Sequence, residues 1–316
     1  MKHTFFLLLA TLLLCTGPAA FSQHNPSAHR CGTTQAHEVL LHTVPGLAES
    51  NRALEEQAQH WLANWQLQRG YRTGDTIPVV FHVVYNAPQE NISDVQLLSQ
   101  LAVLNEDFNR KNADASQTPD AFKPLAGNPQ LVFCLAALDP NGLPTTGITR
   151  TNTSRTNFAH TETAMKFDSE GGKSAWNPEL YLNIWVVNLA GNFLGFAQFP
   201  GGPAATDGIV LMYRSTGRAP ANPFPGNYNR GRTATHEVGH WLGLRHIWGE
   251  DETSCTDSDL VEDTPNQKGP SSGCPIFPKI SDCNPTPPGE MFMNFMDYTN
   301  DACMNLFTHG QAARME

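Results

Sequence analysis

The segment His236-Glu237-Val238-Gly239-His240-Trp241-Leu242-Gly243-Leu244-Arg245-His246 constrains this chain more than any other stretch. Residues four apart on a helix stand on one face, one turn above each other. His236 and His240 therefore present their imidazoles to one point. Glycine takes a positive φ without steric penalty, so the chain can turn at Gly243 and swing His246 back to that point. Three convergent imidazoles with a fourth position open form the ligand set of a catalytic zinc, which binds nitrogen at about 2.0–2.1 Å. A structural zinc would close the fourth position with a cysteine or another histidine. Glu237, beside the first histidine, is placed to take a proton from an activated water and return it to a leaving amine. The fold must then contain a helix that starts near Asn229 or Arg232 and ends in a turn at Gly243.

A lone His-Glu-x-x-His arises by chance in many chains. The glycine and third histidine at fixed offsets set this one apart, and zinc motifs of this extended form, called metzincin, carry a methionine turn beneath the metal. In Met293-Asn294-Phe295-Met296-Asp297-Tyr298 the candidate is Met296, with Met291 and Met293 as rivals. Tyr298 would stand near the zinc, its hydroxyl able to bind the metal or a developing oxyanion. The alternative for it is a packed tyrosine with a satisfied hydroxyl. His82, His160 and His309 read as structural or exposed rather than as ligands.

The chain opens with Met1-Lys2-His3, an apolar run from Thr4 to Leu14, the break Gly17-Pro18 and small residues in Ala20-Phe21-Ser22. That is the layout of a secretory signal peptide over residues 1–22. The run is too short for a membrane span, which needs about 20 apolar residues. A net charge of −10, with no run of Lys or Arg, argues against a nucleic-acid partner. Of the seven cysteines, Cys255, Cys274, Cys283 and Cys303 cluster in a stretch rich in Gly, Pro, Ser and Asp. In an exported chain they read as two disulfides, with three pairings open. Cys31 and Cys134 are left over and could pair with each other.

Leu47 to Leu67 has amphipathic helix spacing. The segment from Arg69 to Asp75, with Arg72 inside it, reads as an exposed linker open to proteolysis. Strands are expected at Ile77–Tyr85, Leu131–Leu138, Leu182–Asn188, Phe193–Pro200 and Gly208–Met212, and a helix from Ser93 through Phe108. The class is α+β with mostly a single sheet.

Beside the zinc helix stand Glu262-Asp263-Thr264-Pro265, Asn294-Phe295-Met296-Asp297-Tyr298 and Phe307-Thr308-His309-Gly310-Gln311. With these, and with Ile77–Tyr85 and Leu104–Phe108, most of residues 75–316 resembles the pappalysins, a metzincin family of zinc metallopeptidases, closest to its small bacterial members. The resemblance implies an upper subdomain with a twisted, mostly parallel five-stranded sheet and two long helices. Below the cleft it implies an irregular lower subdomain braced by Cys255–Cys283 and Cys274–Cys303. Gly195, Phe196 and Ala197 would lie on the rim strand that pairs with an extended peptide substrate. A structural calcium would bind the side chains of Asp259 and Thr264 and the backbone oxygens of Ser258 and Glu262, where a solvated acidic loop is the alternative. Asp301 would sit at the floor of the pocket after the scissile bond and select Arg or Lys there. Self-cleavage before Arg72 or Arg69 would then remove the leader.

Arg30-Cys31-Gly32-Thr33 resembles the family's inhibitory segment. Cys31 would ligate the zinc at about 2.3 Å and silence the precursor. The resemblance thus implies a signal peptide (1–22), an inhibitory propeptide (23–71) and a zinc metallopeptidase domain (72–316) of a secreted zymogen. Two other readings remain: a non-catalytic secreted binding protein on the same fold, against which the intact Glu237 speaks, and a zinc hydrolase of non-peptide amides.

Overall fold

The computed structural model describes residues 30–65, 74–251 and 254–316. The expected signal segment and the expected cut sites at Arg69 and Arg72 lie outside them. Strand β1 (Thr76–Tyr85) runs through the middle of the sheet, and Val79 to Val84 are buried. A strand covered on both faces needs apolar side chains in both directions, which explains a near-continuous rather than alternating run, broken only by His82. The order is β2 (Val132–Leu135), β1, β4 (Leu182–Val187), β6 (Ile209–Met212), β5 (Gly195–Ala197). All pairs are parallel except β5 with β6.

The sheet has a sixth strand beyond the five expected, β3 (Ile148–Asn152), which pairs with β1 alone. It lines up with Phe81–Tyr85, whereas β2 lines up with Thr76–Val79. Ile-Thr-Arg-Thr-Asn is polar and carries little strand signal of its own. Its pairing comes from the long neighbour β1.

Alternate residues of β4 serve two cores. Ile184 and Val186 pack with Leu97, Leu104 and Phe108 and with Ala234 and Val238. Those residues lie on and just beyond α3 (Asp94–Asp107) and on α4 (Arg232–Trp241). Trp185 and Val187 join Phe158, Met165 and Phe196 on the other face. Ser93 caps α3 by accepting from the Gln96 amide at 3.2 Å. In α4 every residue but Trp241 is buried, so the motif helix lies inside the protein, under the sheet.

Beyond Leu242 the described residues contain no strand and one α-helix, α5 (His309–Arg314). This lower region is held by disulfides Cys255–Cys283 and Cys274–Cys303, with Cα separations of 5.3 and 5.6 Å. A third apolar cluster of Ile247, Trp248, Met291, Phe292, Met293 and Leu306 supports it. Cys31 and Cys134 are both free thiols. The leader forms two helices, α1 (Thr33–Thr43), which the sequence reading did not anticipate, and α2 (Leu47–Trp65). Ala36 of α1 completes the second core at the β5 edge. No helix among the described residues is long and apolar enough to cross a membrane.

Candidate metal centre

His236 and His240 stand one turn apart on α4, and Gly243, with φ +89°, turns the chain toward His246. Nε2 of His240 lies 3.1 Å from Nε2 of His236 and 3.1 Å from Nε2 of His246. The other ring nitrogens face acceptors: Nδ1 of His236 meets the Phe295 carbonyl at 2.7 Å and Nδ1 of His240 the Leu244 carbonyl at 2.7 Å. Nδ1 of His246 meets Glu250 Oε2 at 3.3 Å. Such oxygens only accept, so each Nδ1 carries the proton and each Nε2 presents a lone pair. Burial, aided by the neighbouring imidazoles, holds His236 well below its ordinary pKa and His240 down at about 3. Three lone pairs aimed at one point repel unless a cation lies between them. Cys31 Sγ completes this group, with all four ligand atoms within 4.8 Å of one another. Nitrogen, nitrogen, nitrogen and sulfur form a donor set that suits zinc.

Met296 is fully buried beneath α4. A Cβ on Gly239 would lie 2.5 Å from its sulfur, so the glycine between the two helical histidines admits the methionine. Met291 and Met293 belong to the lower cluster instead.

Glu237 is fully buried. Its Oε2 accepts from the Thr33 hydroxyl at 2.9 Å and from the Cys31 thiol at 3.4 Å, while Oε1 has no partner. Burial pushes its pKa up to about 8 against the pull of those donors. Burial and the facing Glu237 also raise the Cys31 thiol. A side chain at Gly195 would meet Glu237 Cγ at 2.9 Å, so a bare backbone there lets the carboxylate reach the rim.

The leader lies along that rim, parallel to it. The Gly32 amide donates to Gly195 O at 2.9 Å, the Leu194 amide to Arg30 O at 3.2 Å, and the Ala197 amide to Thr33 Oγ1 at 2.8 Å. The Tyr298 hydroxyl lies 3.0 Å from His246 Nε2 and 3.5 Å from the Cys31 carbonyl. Arg30 is buried: Nη1 donates to Thr299 O, Nη2 lies 3.5 Å from Asp301 Oδ1, and its guanidinium sits 5.5 Å from the Tyr228 ring centre. Asp301 Oδ2 accepts from the Arg230 and Arg232 amides at 2.9 and 3.2 Å, at the start of α4.

Comparison with known proteins places this geometry. A family model described as pregnancy-associated plasma protein-A matches residues 165–316. An extracellular metalloprotease of Arthroderma gypseum is 34% identical over 305 residues, covering 94% of this chain and 89% of that protein. The chain belongs to the pappalysin family of metalloendopeptidases. Two solved pappalysin structures agree. A promirolysin mutant of Tannerella forsythia matches with TM-score 0.83 and 49% identity over 90% of this chain and 92% of that one. Mature mirolysin of the same organism, in complex with a cleaved peptide, matches with TM-score 0.74 and 54% identity over 78% of this chain and 91% of that one.

In this pappalysin the loop after the histidine helix α4 is tightly wound, with Leu260 at φ +63°. Asp259 is buried, and both its oxygens lie within 2.9 Å of Thr264 Oγ1, which is also 2.9 Å from the Val261 carbonyl. Asp259 Oδ1 also accepts from the Val261 amide at 3.1 Å. Burial pushes the Asp259 pKa up to about 7 against these donors, and the loop gathers a carboxylate, a hydroxyl and a carbonyl, the oxygen donors that hard cations take.

Several residues escaped the sequence reading. The signal for Arg30 in the sequence is a basic residue beside the cysteine, with an acid expected in the pocket. Thr33 touches Glu237, and Glu250 and Asp257 shape the metal centre from outside it. In sequence Thr33 is one residue of the cysteine segment, and Glu250 and Asp257 read only as polar loop residues.

Proposed function

We propose that this chain is an exported zinc endopeptidase made as a zymogen, in which residues 1–22 direct export and residues 23–71 silence the catalytic domain 72–316. His236, His240 and His246 hold the metal. Zinc there would supply a Lewis acid and bring the pKa of a water to about 7. Glu237 is the general base. Once the leader leaves, its Oε2 loses the Thr33 and Cys31 donors and is free to accept a proton from water and return it to the leaving amine. The backbone of Leu194 to Ala197 offers a peptide substrate the groups that the leader now uses. The Tyr298 hydroxyl can donate to a developing oxyanion.

Two leader contacts support the rest of the reading. Cys31 brings a thiol to the imidazole cluster, a contact suited to keeping water out of the precursor. Arg30 pairs with Asp301, which suggests how a substrate arginine or lysine after the scissile bond would be held. Asp259 and Thr264, with the carbonyls of Ser258 and Glu262, would bind a stabilising calcium.

The observation that carries this function is the set of three facing Nε2 atoms with Glu237 beside them. It is tested on an arginine-containing peptide. Hydrolysis by the matured chain should be abolished by a chelator and by Glu237→Ala. Retained hydrolysis in Glu237→Ala would defeat the mechanism.

A further inference from the structure

The three imidazoles are not anchored alike. His236 and His240 donate to backbone carbonyls, which any side chain would leave in place. His246 faces a side-chain carboxylate, Glu250 Oε2 at 3.3 Å, four residues on. It also lies past the Gly243 turn, with no helix beneath it. Its ring stacks on Trp248, centroids 4.5 Å apart and planes 2° apart, and stacking leaves the proton on either nitrogen. Glu250 is the acceptor that decides.

Glu250 is itself pinned. Gly249, at φ +78°, closes a turn by donating to His246 O at 2.9 Å. The amides of Glu250 and Asp251 both donate to Asp257 Oδ2, at 2.7 and 2.8 Å, and the Ser258 amide donates to Asp257 Oδ1 at 2.9 Å. A Cβ on Gly249 would stand 2.4 Å from Asp257 Oδ2, so the turn needs glycine for both its φ and its closeness. The Thr34 hydroxyl of the leader donates to Glu250 Oε2 at 2.5 Å.

We propose that Glu250 is a positioning residue for the metal centre: it keeps the proton on Nδ1 of His246 and aims Nε2 at the shared point, while Asp257 holds Glu250 in place. This rests on the zinc reading above. A carboxylate behind a ligating histidine fixes the ring and raises its basicity, and its loss typically weakens metal binding about 10–100-fold.

The test uses the full-length chain carrying Cys31→Ala, so that the thiol cannot mask a weakened imidazole. Zinc affinity is measured by competition with a chromophoric chelator, and the visible spectrum is recorded with cobalt(II) in place of zinc. Glu250→Ala should lose affinity about 10–100-fold and change the cobalt bands. Glu250→Gln, whose amide oxygen can still accept from Nδ1, should recover part of both. The zinc-free proteins should melt together. Parental affinity and spectrum in Glu250→Ala would overturn the proposal, as would Glu250→Gln no better than Glu250→Ala. A parent that holds no zinc would overturn the metal reading itself, so the two failures are distinct.

Discussion

Arg30 and Asp301 meet as a wholly buried ion pair, Nη2 to Oδ1 at 3.5 Å, with neither side chain exposed. A guanidinium removed from water needs such a partner, and the Thr299 carbonyl and Tyr228 ring complete its surroundings. Asp301 thereby serves the leader and the start of α4 at once.

Asp301→Asn should separate those two roles. The amide oxygen can still accept from the Arg230 and Arg232 amides, so the fold should hold. The charge-assisted contact, worth about 1.5–3 kcal/mol, is lost. For the mature enzyme, kcat/KM on a peptide with arginine after the scissile bond should fall about 10–100-fold, and a leucine counterpart should change little. Equal loss on both peptides would place the defect elsewhere.

Cys31→Ala should shorten the life of the precursor. The thiol donates to Glu237 Oε2 at 3.4 Å; with the Glu237 pKa raised to about 8, this joins neutral groups near pH 7, a class worth about 0.5–1.5 kcal/mol, roughly two- to tenfold in an equilibrium. Any sulfur–zinc bond adds to that. A time course of leader removal, followed by electrophoresis, should be at least about twofold faster than for the native precursor. An unchanged rate would rule out the thiol as the restraint.

His82 should make stability depend on acidity. It is fully buried in β1, with Nε2 donating to Asn183 Oδ1 at 3.0 Å and Nδ1 paired with the Thr149 hydroxyl at 2.8 Å. Burial lowers its pKa from 6.5 to about 4. A base depressed on folding contributes fully above its unfolded pKa, and that contribution is lost as pH falls from 6.5 toward 4. The shift corresponds to about 3 kcal/mol. Urea unfolding at pH 7 and pH 4 should show His82→Gln losing about 3 kcal/mol less than the native chain across this window. Parallel losses would contradict the assignment.

Calcium should stabilise the lower region through Asp259. At a hundredfold excess over its dissociation constant it should add about 2.7 kcal/mol, visible as a higher Tm. Asp259→Ala should abolish the calcium-dependent rise. A rise that persists in Asp259→Ala would move the cation elsewhere.

The metal centre was legible because its information is local. His236, Glu237, His240, Gly243 and His246 lie within eleven residues; helical periodicity aligns the first two histidines, and the glycine turn returns the third. The buried strands β1 and β4 were legible for the same reason, through apolar runs interrupted only by His82 and Asn183. What escaped depends on partners far along the chain. β3 is a strand only because β1 extends past β2. α1 is short and polar, and Ala36 becomes core only against Phe196 and Trp185. Asp257 looks like a solvated loop acid until three backbone amides are seen to converge on it.

The most direct measurement is X-ray absorption at the zinc edge on zinc-loaded precursor and on the trimmed enzyme. The precursor should show three imidazole nitrogens at about 2.0 Å and one sulfur at about 2.3 Å, and trimming should exchange the sulfur for an oxygen. A shell with fewer than three imidazoles would contradict the account.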